Sequence, residues 1–150
     1  MTASRFDSPA ASLDYMRRVA VGKSGFSNWL QVEPVICWQG QSELVLELRP
    51  DMTQHHGFGH GAIVGLMADN ACAWAAASAV GDVVTGSYTI NFLAPARGAR
   101  LRAKGTVIKA GKRQVIVRSD VWAEGPGENE SVLVAVAQAT IVPTGLPQAC

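Results

Sequence analysis

The sequence predicts an α+β fold in which a curved antiparallel sheet wraps one long apolar helix. Three observations predict it. From Gly61 to Val80 only Asp69, Asn70 and Ser78 are polar, and eight of the twenty residues are alanine. A helix of that composition has no polar face to give to water and must be covered on every side. Four strand-like runs follow it in succession, the pattern of an antiparallel sheet and not of alternating βαβ units. Two more strand-like runs precede it.

Taken in order, Ser8 before Pro9 reads as an N-cap and first-turn proline. They open a helix over Ser8–Val21 with Leu13, Met16, Arg17 and Ala20 on one face, and Gly22–Gly25 breaks it. Phe26–Trp38 and Ser42–Leu48 are rich in Val, Leu, Ile and Trp and flank Gln39-Gly40-Gln41, so they read as two strands of a hairpin. Pro50–Gly61 is a loop that holds His55, His56 and His60 among its glycines. The apolar helix comes next and ends near Gly81. Val83–Leu93 is a strand that stops before Pro95. Leu101–Lys109 alternates apolar Leu101, Ala103 and Val107 with polar Arg102, Lys104 and Thr106. Ala110-Gly111-Lys112 turns the chain into Gln114–Ala123, Gly125-Pro126-Gly127 breaks it again, and Val132–Val142 closes the set. The expected organisation is a helical extension over residues 1–25, one domain over 26–143 and a tail over 144–150. Trp38, Phe58, Trp74, Tyr88 and Phe92 are expected to pack the core, with an aromatic pocket as the alternative.

Composition narrows the function. At 150 residues and 15.8 kDa the chain fits one domain. A net charge of +1 argues against a nucleic-acid backbone as partner. A membrane span is disfavoured by Asp69 and Asn70 at its centre and by flanks without basic clusters. Arg5, Asp7, Asp14, Arg17 and Arg18 interrupt any signal-like apolar segment. Cys37, Cys72 and Cys150 are odd in number and form no CxxC pair, so neither a zinc site nor a disulfide framework is expected, and a reducing cytoplasm is the simplest location.

The chemistry concentrates at the start and middle of the apolar helix. Asp69 is either a structural carboxylate or a base or nucleophile tuned by apolar surroundings. His55 and His56 are adjacent and cannot easily aim at one ion, and no carboxylate stands at helical spacing from a histidine, so no metal is expected. His60 reads as a residue that fixes the loop by hydrogen bonding. The glycines of His55-His56-Gly57-Phe58-Gly59-His60-Gly61 let the backbone turn tightly into the helix and leave its first amides open to polarise a carbonyl oxygen. Gly61 and Asp69 are eight residues apart, about 12 Å along a helix axis at 1.5 Å per residue. One carbonyl cannot readily touch both within a single chain, so joint action requires a second subunit with its helix antiparallel to the first. No GxSxG and no GxGxxG is present, so neither a hydrolase elbow nor a dinucleotide cofactor is expected. Gly22-Lys23-Ser24 imitates the end of a phosphate loop, but Arg17 stands where its first glycine belongs. Arg97, Arg100, Lys109, Lys112 and Arg113 form modest basic clusters, either solvated strand ends or contacts for phosphates.

These residues carry a resemblance. Gln54-x-His56-Gly57-x-x-His60-Gly61, then Asp69-Asn70-Ala71, Asn91-Phe92-Leu93-x-Pro95-Ala96 and Gly111-Lys112 are similar to the blocks of the hotdog-fold acyl-CoA thioesterases of the phenylacetate-degradation (PaaI) type, over Phe26–Val142. The resemblance implies a sheet-wrapped helix, active sites at dimer interfaces, no cofactor, and a homo-oligomer: a dimer, assembled further as a dimer of dimers. It implies Asp69 as general base or nucleophile, the Gly61 amide as donor to the thioester oxygen, and His60 as the histidine before it. Thr85 falls where members carry a Ser or Thr that positions water or the carboxylate. Gln54 stands where many have Asn, and Ala62 replaces the second glycine of the common His-Gly-Gly. His56, Gly57 and Asn70 are expected at the substrate, with Lys112 and Arg113 near the CoA phosphates. The rival readings are a hydratase or dehydratase of the same fold, which pairs a histidine and an acid at a different spacing, and an acyl-CoA binder that does not cleave.

Overall fold

The structure is a computed structural model that describes residues 6–127 and 130–145; Cys150 and residues 146–150 of the expected tail lie outside the described residues. Its elements are α1 (Pro9–Tyr15), continued by a π-helical turn over Met16–Val21, α2 (Gly25–Leu30), β1 (Glu33–Trp38), β2 (Gln41–Glu47), a 3-10 turn at Pro50–Met52, α3 (Gly61–Val80), β3 (Val83–Phe92), β4 (Arg100–Ala110), β5 (Val115–Glu124) and β6 (Ser131–Pro143). The six strands form one antiparallel sheet in the order β1-β2-β4-β5-β6-β3, and α3 packs against it.

Alternation sets the two faces of the sheet. In β5, Val115, Val117, Ser119, Val121 and Ala123 are buried against the helix side, while Arg118, Asp120, Trp122 and Glu124 face out. The outer face carries a charge ladder. Arg102 bridges Glu43 and Glu124, Arg100 joins Glu124, and Lys104 lies 5.7 Å from the Trp122 ring centroid. The hydrogen bond from Arg102, aided by that from Arg100, holds the Glu124 carboxyl below its ordinary value.

On the inner face, small residues and serine hydroxyls decide how close α3 can lie. Ser42 Oγ donates to the Ala71 carbonyl at 2.6 Å and Ser119 Oγ to the Ala68 carbonyl at 3.0 Å. The Gly40 amide donates to Ser78 Oγ at 2.9 Å, and Ser78 Oγ donates to the Ala75 carbonyl. Gly105 lies so close to the helix that a Cβ there would collide with the Ala71 carbonyl. By length and composition α3 could cross a membrane, yet Met67, Ala68, Ala71, Cys72, Ala75 and Ala76 are fully buried within the fold.

Three local readings are corrected. The N-terminal helix widens at Met16, and its buried face is Ser12, Tyr15 and Met16. Ser12 Oγ donates to the Cys37 carbonyl, while Arg17 turns outward to Glu33 at 2.6 Å. The strand expected from Phe26 begins only at Glu33. Ser24 Oγ caps the amide of Ser27, α2 forms, and Gln31 at φ 63° ends it. Phe26 and Trp29 stack on each other at the surface, so their apolar character is not that of a buried strand. Of the aromatics assigned to the core, Trp74 is 6% exposed, but Tyr88 and Phe92 are 42% and 56% exposed because β3 is the edge of the sheet.

Gly105→Ala is expected to lower stability by about 2 kcal/mol through overpacking against helix backbone that has no side chain to rotate away. Urea unfolding of the variant and the parent measures it.

Candidate active site

The β2–α3 loop is closed on itself. The Gln54 amide donates to the Phe58 carbonyl and the Gly57 amide to the Gln54 carbonyl, both at 2.9 Å. Gln54 Oε1 accepts from the His56 amide. Gly57 turns at φ 82°, a region that glycine enters without penalty. His55 and His56 are exposed, with ring centroids 4.0 Å apart. Arg97 lies 5.0 Å from the Phe58 ring centroid. Among the described residues no three metal-type side chains gather.

The loop delivers His60 to the N-cap of α3. Its amide is held by the Met52 carbonyl at 2.9 Å, and its Nδ1 accepts from the Ala62 amide at 2.9 Å. The Ile63 and Val64 amides both reach the His60 carbonyl, at 2.9 and 3.2 Å. Of the four amides at the helix start, three are therefore covered. The Gly61 N–H has no acceptor among the described residues, and it sits at the positive end of a 20-residue helix.

From Gly61 a stripe runs down α3 at four-residue spacing: Gly61, Gly65, Asp69, Ala73 and Ala77. Edge strand β3 runs antiparallel beside it. A Cβ at Gly61 would touch the Phe92 ring at 3.5 Å, and one at Gly65 would press on Tyr88 Oη at 3.1 Å. Thr85 Oγ1 donates to Asp69 Oδ1 at 2.7 Å. A β-bulge between Thr85 and Ser87 makes this possible. It shifts the alternation by one, so Thr85 shares the helix-facing side with Tyr88, Ile90 and Phe92, opposite Ile141, Ala139, Ala137 and Ala135 of β6. Thr85 and Asp69 are half-buried, and the bond fixes one carboxylate oxygen. Next to them the Asn70 side-chain nitrogen is buried and has no hydrogen-bond partner among the described residues. Cys72, one turn on, offers no nucleophile. Burial pushes its thiol up to about 11 against a lowering hydrogen bond with Ser119, and the Asp69 charge adds to the rise.

Two clefts flank the seam and a third lies apart. One of about 390 Å³ lies at the Gly61 end, between Phe58, Gly61, Val64, Phe92 and Leu93. One of about 190 Å³ lies at the Ala73 end. The third, about 500 Å³, lies at the β4–β5 hairpin and is lined by Lys109, Arg113 and Gln114; Lys112 is exposed at the turn, off that lining.

A family profile of the thioesterase superfamily matches residues 56–130, half of the chain, from the histidine loop past the end of β5. The chain belongs to the thioesterase superfamily. Its sheet-wrapped helix is the hotdog fold of that superfamily. A thioesterase family protein of Silicibacter pomeroyi is 28% identical at a TM-score of 0.80, with 87% of this chain and 96% of that one covered. PaaI of E. coli, from the phenylacetic acid degradation operon, shares the fold at 19% identity and a TM-score of 0.80, with 92% and 97% covered. A Streptococcus mutans protein solved bound to acetyl-CoA shares it at 22% identity and a TM-score of 0.69, with 78% and 91% covered. No curated protein sequence matches the chain.

Of the residues singled out in the sequence, the superfamily fold brings Asp69 and Thr85 into contact and sets His60 under the start of α3. Gln54, His56 and Gly57 hold the loop, and Arg113 lies in the distant hairpin cleft. Gly65 was not singled out for the site, and Tyr88 and Lys109 were named only under the alternative readings of an aromatic pocket and of phosphate contacts. The four-residue repeat Gly61, Gly65, Asp69 was a readable signal for Gly65. His60→Ala is expected to cost about 1 kcal/mol as the cap is lost, with His60→Asn recovering most of it. Thermal or urea unfolding of both variants reads the difference.

Proposed function

We propose that the protein is an acyl-CoA thioesterase of the PaaI type that works as a homo-oligomer built from dimers. The observation that carries the reading is the Thr85–Asp69 hydrogen bond, which fixes one carboxylate oxygen at the open edge of the sheet and leaves the other for chemistry. The S. mutans relative bound to acetyl-CoA supports a CoA thioester as ligand.

A second copy is part of the reading. Gly61 and Asp69 lie about 12 Å apart along α3. An antiparallel two-fold pairing along β3 brings the Gly61 amide of one copy to Asp69 of the other, and makes two sites. Support comes from β3 being a sheet edge that exposes Val84, Tyr88 and Phe92, and from the Asn70 nitrogen beside Asp69, which has no hydrogen-bond partner among the described residues.

Within such a site the thioester oxygen accepts from the Gly61 amide, whose helix dipole stabilises the oxyanion. The free oxygen of Asp69 takes a proton from water as the water oxygen bonds to the carbonyl carbon, or attacks that carbon itself. The C–S bond then breaks and CoA leaves as a thiolate, which needs no strong acid. The Lys109 and Arg113 cleft supplies positive charge for CoA phosphates, with Lys112 beside it. A cytoplasmic location belongs to the same proposal and rests on the odd count and wide spacing of Cys37, Cys72 and Cys150.

Asp69→Ala is expected to reduce thiol release from acyl-CoA by roughly 10²–10⁴-fold, with the oligomer intact by light scattering. Thr85→Val is expected to lower kcat about tenfold, and Thr85→Ser to restore it, on the same assay. Full turnover in Asp69→Ala overturns the assignment.

A further inference from the structure

The N-terminal helix precedes the stretch that the superfamily profile matches; it packs on β1 and closes one side of a cavity whose other side is α3 and the start of β3. Resting on the thioesterase reading above, we infer that this helix forms the wall of the acyl subsite and that Val19 and Ala20 set the longest acyl group accepted.

The cavity begins one helical turn beyond Asp69, which does not itself line it. Asp69 and Thr85 join α3 to β3. One step further along both elements, α3 presents Ala73 and Ala77 and β3 presents Val83, and they separate around the cavity of about 190 Å³. Ala73 and Ala77 follow Asp69 by four and eight residues, so they lie on its face of the helix, about 6 and 12 Å along the axis. Met16, Val19 and Ala20 close the opposite side. Met16 is buried, whereas Val19, Ala20, Ala73 and Val83 are half-buried, as suits a cavity with a mouth.

Size and chemistry commit the occupant. An apolar cavity of about 150 Å³ takes benzene, so this one takes an acyl chain of about six carbons or a single aromatic ring. Asp82 is the one charged residue on the lining, so an acyl group that ends in a carboxylate is repelled. The small side chains matter: a larger residue at Ala73 or Ala20 would occupy the space itself. The widened turn at Met16–Val21 presents Met16, Val19 and Ala20 together at this wall.

The test is a chain-length series from acetyl- to decanoyl-CoA with the wild-type protein, Ala20→Phe and Val19→Ala, read as kcat/KM, with unfolding curves as the check on folding. The wild type is expected to peak near six carbons. Ala20→Phe is expected to lose tenfold or more on hexanoyl-CoA while acetyl-CoA changes by less than threefold, the size of effect that a few methylenes have in an apolar pocket. Val19→Ala is expected to move the optimum to longer chains. An unchanged ranking in the variants, or an equal loss on every chain, overturns the subsite. If Ala20→Phe fails to fold, an unmoved optimum in Val19→Ala overturns it alone. If the wild type releases thiol from no acyl-CoA, the thioesterase reading has failed and calorimetry decides the subsite separately. Hexanoyl-CoA bound at least tenfold tighter than CoA, with the difference lost in the folded variant, upholds it; equal affinity in the wild type overturns it.

Discussion

The close contact between α3 and the sheet governs the rest of the molecule. A helix without a polar face is stable only when covered, and here the cover is so near that strand serines hydrogen-bond to helix carbonyls. That closeness requires Gly105 under Ala71, and alanine along much of the helix. Large side chains on α3 would hold the sheet away and strip the serines of their acceptors, leaving buried hydroxyls to bear the desolvation cost. The outer face can then carry charge, and its ladder from Glu43 to Glu124 keeps that part of the face wet.

The same constraint explains where polarity is tolerated on α3. Asp69 and Asn70 lie near the middle of an otherwise apolar helix, and only Asp69 has a side-chain partner among the described residues. Asp69 faces the edge strand and not the sheet centre, so its second oxygen is not sealed by packing. The bulge before Ser87 is the device that aims Thr85 at it. At the other end of the seam, His60 covers the Ala62 amide and leaves that of Gly61 uncovered, so the donor and the carboxylate lie on one stripe of one helix. Their separation gives the exposed edge of β3 its meaning in the proposed oligomer.

Much of this architecture was legible in the residues. The bounds Gly61–Val80 follow from composition and from Gly81, which adopts φ 103° at the helix end. The Gln39-Gly40 turn, at φ 47° and 82°, follows from hairpin chemistry. Asp69 stood out as a carboxylate in an alanine-rich helix. What failed was local. Phe26 and Trp29 looked like strand residues because apolarity alone does not distinguish a surface helix turn from a buried strand over six positions. Tyr88 and Phe92 looked like core because the sequence of a strand does not reveal whether a neighbour lies on both of its sides.

By itself the sequence determined the class of fold, the long helix and the chemical candidates at its start and middle. Those features rest on interactions between residues close in the chain: periodicity, caps and turn conformations. Only the tertiary structure decided which strand became the edge, that a one-residue shift at Gly86 turned Thr85 toward Asp69, and that the N-terminal helix closed a cavity one turn beyond the carboxylate. Each of these depends on register and on contacts between residues far apart in sequence, and a change of one position reverses the face on which a side chain lies.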